Sequence, residues 1–212
     1  MIRRGYDMRY DKKARVVAFC GIDGAGKTST LARLREDIRF QRAMFVGPKR
    51  GDNLQRLARL HSDRHKETSE HMNGDYASSI RWAYAFDFLR FYEDEVMPLL
   101  DTDVLILSDR WSYCISAYAW EGTAIRHEIE FLLSCVQPVD LIVYLDVEPE
   151  QAQHRMIGRG KSESDKAIEL LSPYREAYKA MFAAISVPVF TVYNDNLDIT
   201  VERVSQKLEI FL

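Results

Sequence analysis

Arg15-Val16-Val17-Ala18-Phe19-Cys20 runs directly into Gly21-Ile22-Asp23-Gly24-Ala25-Gly26-Lys27-Thr28, and a stretch of helical character follows from Ser29 to Arg39. The order is buried strand, glycine-rich turn, helix. The turn carries the G-x-x-x-x-G-K-[ST] spacing of a phosphate-cradling P-loop. Glycine lets the backbone turn tightly and aim its N–H groups inward, where the partial positive charge of the next helix's N-terminus also favours an anion. The Lys27 ammonium can reach the β- and γ-phosphates, and the Thr28 hydroxyl can hold magnesium. Gly21, Asp23, Gly24, Ala25, Gly26, Lys27, Thr28 and Ser29 are therefore the candidate nucleotide-phosphate residues, with a nucleotide and Mg2+ as the expected ligands.

Working outward, 212 residues of 47% hydrophobic content can bury a substantial core, and one α/β domain accounts for the length. A formal charge of −3 with pI near 6.0 argues against broad electrostatic binding to nucleic acid, which needs many cations to displace counterions. The basic start, Arg3-Arg4 to Lys12-Lys13-Arg15, is interrupted by Asp7 and Asp11 and lacks a following apolar segment, so residues 1–14 read as an arm and not a signal peptide. Cys20, Cys114 and Cys135 lie far apart without metal-ligand spacing and are expected as reduced core thiols of a cytoplasmic protein. The apolar runs are far shorter than the roughly 20 residues a membrane helix needs, so no membrane span is expected.

Apolar runs of strand length recur at Arg15 to Cys20, Ala43 to Val46, Val104 to Leu107, Leu141 to Leu145 and Val187 to Val192, with helical segments between them. This alternation predicts a three-layer α/β fold with a five-stranded parallel sheet flanked by helices, its ligands at the carboxyl ends of the strands. Tyr76 to Leu100 is predicted helical, with Trp82, Phe86, Leu89 and Val96 on one core face. Ile199, Val204, Leu208 and Phe211 share helical spacing in the closing segment. His61, His65 and His71 stand among charges in a polar stretch from Ser62 to Asp75 that reads as a loop without a fixed metal geometry.

The strand Val104 to Leu107 ends in Ser108-Asp109-Arg110-Trp111. A carboxylate at the end of a buried strand beside the phosphate loop can hold magnesium through its water shell, and the adjoining Arg can bridge phosphates. Asp109 and Thr28 are the candidate metal residues.

With these residues in view, the chain resembles the thymidylate kinase family of P-loop nucleoside monophosphate kinases. The family's Asp-Arg-aromatic motif and following Ala-Tyr pair are similar to Asp109-Arg110-Trp111 and Ala117-Tyr118. Its Pro-Asp-Leu-x-x-Tyr-Leu-Asp-Val strand and Arg-x-x-x-Arg-Gly lid resemble Pro138-Val139-Asp140-Leu141-Ile142-Val143-Tyr144-Leu145-Asp146-Val147 and Arg155-Met156-Ile157-Gly158-Arg159-Gly160. Arg175 and Tyr178 match its later Arg-x-x-Tyr. The resemblance implies a P-loop NTPase domain over residues 15–212, a lid near 155–165, and ATP-dependent phosphorylation of dTMP or a related pyrimidine nucleotide. It implies Lys27, Arg110, Arg155 and Arg159 as catalytic cations, helped by Lys161, because Ala25 stands where some members carry a loop arginine. Asp23 is implied in contact with the acceptor sugar, Tyr118 with the acceptor, and a homodimer through Tyr76 to Leu100.

The sequence departs from the family around the acceptor. Val46-Gly47-Pro48-Lys49-Arg50-Gly51 replaces an Arg-Glu-Pro-Gly-Gly run, leaving Lys49 or Arg50 to hold the acceptor phosphate. The aromatic residue and the arginine that read the base are matched without gaps by Tyr84 and Phe88, which deletes the arginine. A two-residue shift gives Phe86 and Arg90 on one i,i+4 face, and this assignment is favoured because a buried polar base edge needs a partner. Ala119-Trp120 replaces a frequent Gln after Ala-Tyr. Two other readings follow from these changes: a kinase of the same fold acting on a modified nucleotide or other small phosphorylated metabolite, and a non-catalytic nucleotide-binding switch.

Overall fold

The structure, a computed structural model, describes residues 13–48, 51–57, 75–118, 126–158 and 168–212. Five strands form one parallel sheet: β1 (Arg15–Cys20), β2 (Met44–Val46), β3 (Leu105–Asp109), β4 (Leu141–Asp146) and β5 (Val189–Tyr193), in the order β2-β3-β1-β4-β5. The helices are α1 (Lys27–Glu36), α2 (52–57), α3 (Asp75–Phe91), α4 (Ser112–Tyr118), α5 (Arg126–Leu133), α6 (Pro149–Ile157), α7 (Ile168–Ala184) and α8 (Leu197–Leu208). The expected α/β P-loop kinase architecture is the one found.

The central strands β3, β1 and β4 are apolar along their inner positions because helices cover both faces. Val16 to Cys20 in β1 and Leu141 to Leu145 in β4 are buried end to end. The central strand β1 pairs with β3 on one side, Phe19 opposite Asp109, and with β4 on the other, Cys20 opposite Tyr144. The connections leaving β1 and β3 diverge to opposite sides there, and this topological switch point opens a crevice at the carboxyl edge, directly before Gly21.

Two expectations about faces change. After Phe91 the α3 helix passes into a π turn, Tyr92–Val96, and then a 3-10 turn, Met97–Leu99. The wider π turn shifts the helical register. Ala85, Phe88, Phe91 and Tyr92 therefore form the buried face with Val96, while Phe86 is half exposed. Likewise Ile199 points outward from α8, whose buried positions are Thr200, Val204, Ser205 and Leu208. Cys20 and Cys114 are buried free thiols as expected, but Cys135 is exposed. Among the described residues no helix is long and apolar enough to cross a membrane.

Candidate active site

The loop between β1 and α1 is shaped by its glycines and by what crowds them. Gly24 and Gly26 have φ of +83° and +92°, a left-handed region that side chains oppose. A Cβ on Gly24 would lie 2.5 Å from the Ala152 carbonyl oxygen of α6, and one on Gly26 only 2.3 Å from Asn194 Nδ2. Lys27 is buried beneath the loop and donates 2.9 Å hydrogen bonds to the carbonyls of Gly21 and Ile22. Burial lowers its pKa from the usual 10.5, and the nearby positive charge of Arg110 acts in the same direction.

At the end of β3, Asp109 stands across from the loop. Its Oδ2 accepts a 2.8 Å hydrogen bond from the Thr28 hydroxyl, whereas its buried Oδ1 meets no donor among the described residues. A hydroxyl and a carboxylate with an uncommitted oxygen are hard ligands of the kind magnesium takes, so these residues fit the metal assigned to them. Arg110 then leaves the strand with φ +84°, the only described non-glycine residue with a positive φ. Its backbone is fixed there because its N–H donates to Phe19 O at 3.0 Å and its carbonyl accepts from the Ser108 hydroxyl at 2.7 Å. This costly turn sends the guanidinium back to the loop, where it pairs with Asp23 and sits 5.9 Å over the Tyr118 ring. Burial pushes the Tyr118 phenol up, with the Asp23 charge adding to it, so the ring stays neutral.

Six of the residues singled out from sequence thus meet at one edge of the sheet: Asp23, Lys27, Thr28, Asp109, Arg110 and Tyr118. Arg155, on α6, lies against the outer wall of the loop, donating to Asn194 O at 2.7 Å and Gly24 O at 3.4 Å. Phe86 stacks on Trp82 with centroids 5.8 Å apart, and Arg90 pairs with Asp52 and Asp94. Between them Asp87 is buried and accepts from the backbone N–H groups of Asn53 and Leu54 at the start of α2. Arg175 forms a double bridge to Asp146 and Glu148, and Tyr178 packs between Tyr118 and Phe182. Lys49, Arg50, Ala119, Trp120, Arg159, Lys161 and the three histidines His61, His65 and His71 lie outside the described residues.

Two contributors were not singled out from sequence. Arg81 donates to the Tyr118 carbonyl at 3.2 Å, tying α3 to the end of α4. Asn194, after β5, is buried against the phosphate loop and donates to Ala25 O at 2.7 Å. The signal for Asn194 was its place at the carboxyl end of a strand, where ligands gather.

Comparison with known proteins agrees with this geometry. A family model described as thymidylate kinase matches residues 19–204. The chain is 27% identical over 175 residues to the probable thymidylate kinase of Pyrobaculum aerophilum, covering 82% of this chain and 85% of the relative. It is 24% identical over 192 residues to the thymidylate kinase of Ureaplasma parvum serovar 3, covering 86% and 79%. It is also 33% identical over 97 residues, 45% and 46% of the two chains, to the probable thymidylate kinase of Thermococcus gammatolerans.

Proposed function

The chain belongs to the thymidylate kinase family, and from that membership and the geometry of its site we propose that it transfers the γ-phosphoryl group of ATP to dTMP. The observation that carries the reading is the convergence of Lys27, the Thr28–Asp109 pair and the Arg110–Asp23 pair at the carboxyl edge of the sheet. Each supplies one of the needs of phosphoryl transfer, which depends on positioning and charge neutralisation far more than on covalent catalysis by the protein.

In this reading an oxygen of the dTMP phosphate attacks the γ-phosphorus, the bond to the β–γ bridging oxygen breaks, and ADP leaves with that electron pair. The acceptor phosphate is already anionic, so no general base is needed. The loop amides and the Lys27 ammonium neutralise the donor phosphates. Thr28 and Asp109 would hold magnesium, which when bound supplies further neutralisation of the phosphate charge. In the structure Arg110 and Asp23 pair with each other. With acceptor bound, Arg110 exchanges its carboxylate partner for the acceptor phosphate and Asp23 receives the sugar hydroxyl, while the Tyr118 ring flanks them.

The remaining assignments belong to the same proposal. Arg155 and Arg159 serve the lid, which on closing excludes water from the transferring group. Lys49 and Arg50 hold the acceptor phosphate, and Phe86 and Arg90 take the base. The protein works in the cytoplasm as a homodimer packed through α3.

Incubation with MgATP and a panel of nucleoside monophosphates, with each diphosphate measured by chromatography, tests the assignment. Preferential formation of dTDP is expected. Absence of any diphosphate from a protein that binds ATP would overturn it.

A further inference from the structure

A phosphate-binding loop works only if its N–H groups face inward, and a trans peptide fixes each N–H opposite the carbonyl of the residue before it. The loop carbonyls must therefore face outward, into protein, where each needs a donor. In this chain the donors to five of these carbonyls can be named. Lys27 serves Gly21 and Ile22, the backbone N–H of Thr30 serves Gly26, and Arg155 reaches Gly24. The carbonyl of Ala25 receives the side-chain amide of Asn194 at 2.7 Å.

Asn194 is built for this contact. It is 1% exposed, its own N–H donates to Asp146 O at 2.8 Å, and its Oδ1 accepts from the Thr200 hydroxyl at 2.9 Å. Because Ala25 O can only accept, the amide must present Nδ2 to it, and Thr200 is placed to hold that orientation. The close approach to Gly26, where a Cβ would stand 2.3 Å from Nδ2, leaves no room for the loop to relax toward β5.

We propose that Asn194 is a positioning residue for nucleotide binding: by holding the Ala25 carbonyl outward it keeps the Gly26 N–H turned to the phosphates, and Thr200 keeps Asn194 in register. The inference rests on the assignment of ATP as donor, yet its test needs no phosphoryl acceptor. Asn194→Ala leaves the Ala25 carbonyl without its donor, and Thr200→Val, nearly isosteric, frees the amide to rotate.

The test measures binding of MgATP and of inorganic tripolyphosphate with magnesium, together with KM for each substrate and the melting temperature. For Asn194→Ala, both MgATP and tripolyphosphate binding should weaken about tenfold or more, the scale of a buried acceptor left unpaired. KM for ATP should rise in parallel, with KM for dTMP changed less than about twofold, because uniform donor binding is what has been lost. Thr200→Val should shift the same quantities in the same direction by a smaller factor, with a modest fall in melting temperature because Asn194 Oδ1 loses its donor. Unchanged tripolyphosphate binding in both variants would overturn the proposal, as would a loss confined to ATP, which would place Asn194 on the base side. A wild-type protein that binds tripolyphosphate and ATP through this loop but phosphorylates no nucleotide would instead defeat the kinase assignment and leave the role of Asn194 standing.

Discussion

Gly24→Ala isolates what holds the phosphate loop open. The native φ of +83° costs an alanine about 1–2 kcal/mol relative to glycine. The new methyl would also stand 2.5 Å from the Ala152 carbonyl oxygen and 2.9 Å from two further backbone atoms of that residue, where ordinary contact begins at 3.4 Å. Those are backbone atoms of a packed helix, so relief requires the loop or α6 to move by most of an ångström. Overpacking of this kind costs a further 1–3 kcal/mol or so. The sum, about 2–5 kcal/mol, should lower the melting temperature by roughly 4–20 °C for a domain of this size.

The displacement has a functional direction as well. Arg155 lies one turn beyond Ala152 on α6 and donates to Gly24 O and Asn194 O, so a helix pushed away from the loop withdraws that guanidinium. Affinity for MgATP should therefore fall with stability. Gly158→Ala is the matched control: its nearest atoms stand 3.7 Å away and its φ is −58°, so stability should be unchanged or higher by about 0.4–1 kcal/mol. Scanning calorimetry and isothermal titration of the two variants make the comparison. A Gly24→Ala protein that melts and binds ATP like wild type would refute the crowding argument.

Asp109→Asn keeps the side chain's shape but removes the charge beside Thr28; the magnesium needed for half-maximal activity should rise about 10-fold or more without loss of thermal stability, and an unchanged requirement would remove Asp109 from the metal site. Lys27 is held below 10.5 in the fold, chiefly by burial and secondarily by Arg110, while the unfolded chain keeps the ordinary value. Between those two pKa values the unfolded state binds more protons, so stability from this group rises with pH as kcat/KM for ATP falls. An alkaline limb below 10.5 is expected, and a flat profile up to that pH would contradict the lowered pKa. Trp111 is 1% exposed and packs edge-on against Phe88 and Tyr92 at centroid distances of 5.8 and 5.9 Å; urea denaturation of Trp111→Ala should show a loss of about 3–5 kcal/mol, and a loss below about 1 kcal/mol would mean that the site is not packed as described.

Sequence made the sheet and the phosphate loop legible because both rest on local patterns: uninterrupted apolar runs for strands buried on two faces, and a spacing of glycines that admits few backbone paths. Asp109 and Arg110 were legible for a related reason, since they end a strand that runs beside β1. The face of α3 was not. Its period breaks at the π turn Tyr92–Val96, and extrapolating the regular helix through that turn joined Phe86 to Val96 on a core face that Val96 occupies and Trp82 and Leu89 border, but from which Phe86 turns away. Arg81 was hidden because it acts on a carbonyl far away in sequence, that of Tyr118, and Asn194 showed only its place after a strand and not the Ala25 carbonyl it would meet. The positive φ of Arg110 was equally invisible, as strand-ending arginines rarely adopt it and only the Ser108 and Phe19 contacts impose it.

Asp87 bears on how this chain can vary. Its buried carboxylate caps the N-terminus of α2 from across space, satisfying the Asn53 and Leu54 N–H groups, and Gly51 passes so close that a Cβ there would meet the carboxylate at 2.1 Å. The chain leaving β2 is thus moored to the middle of α3, and both ends of the mooring lie outside residues 58–74. Positions 51 and 87 are therefore bound to vary together: any side chain at 51 displaces the carboxylate at 87, and with it the cap that holds the start of α2 to α3.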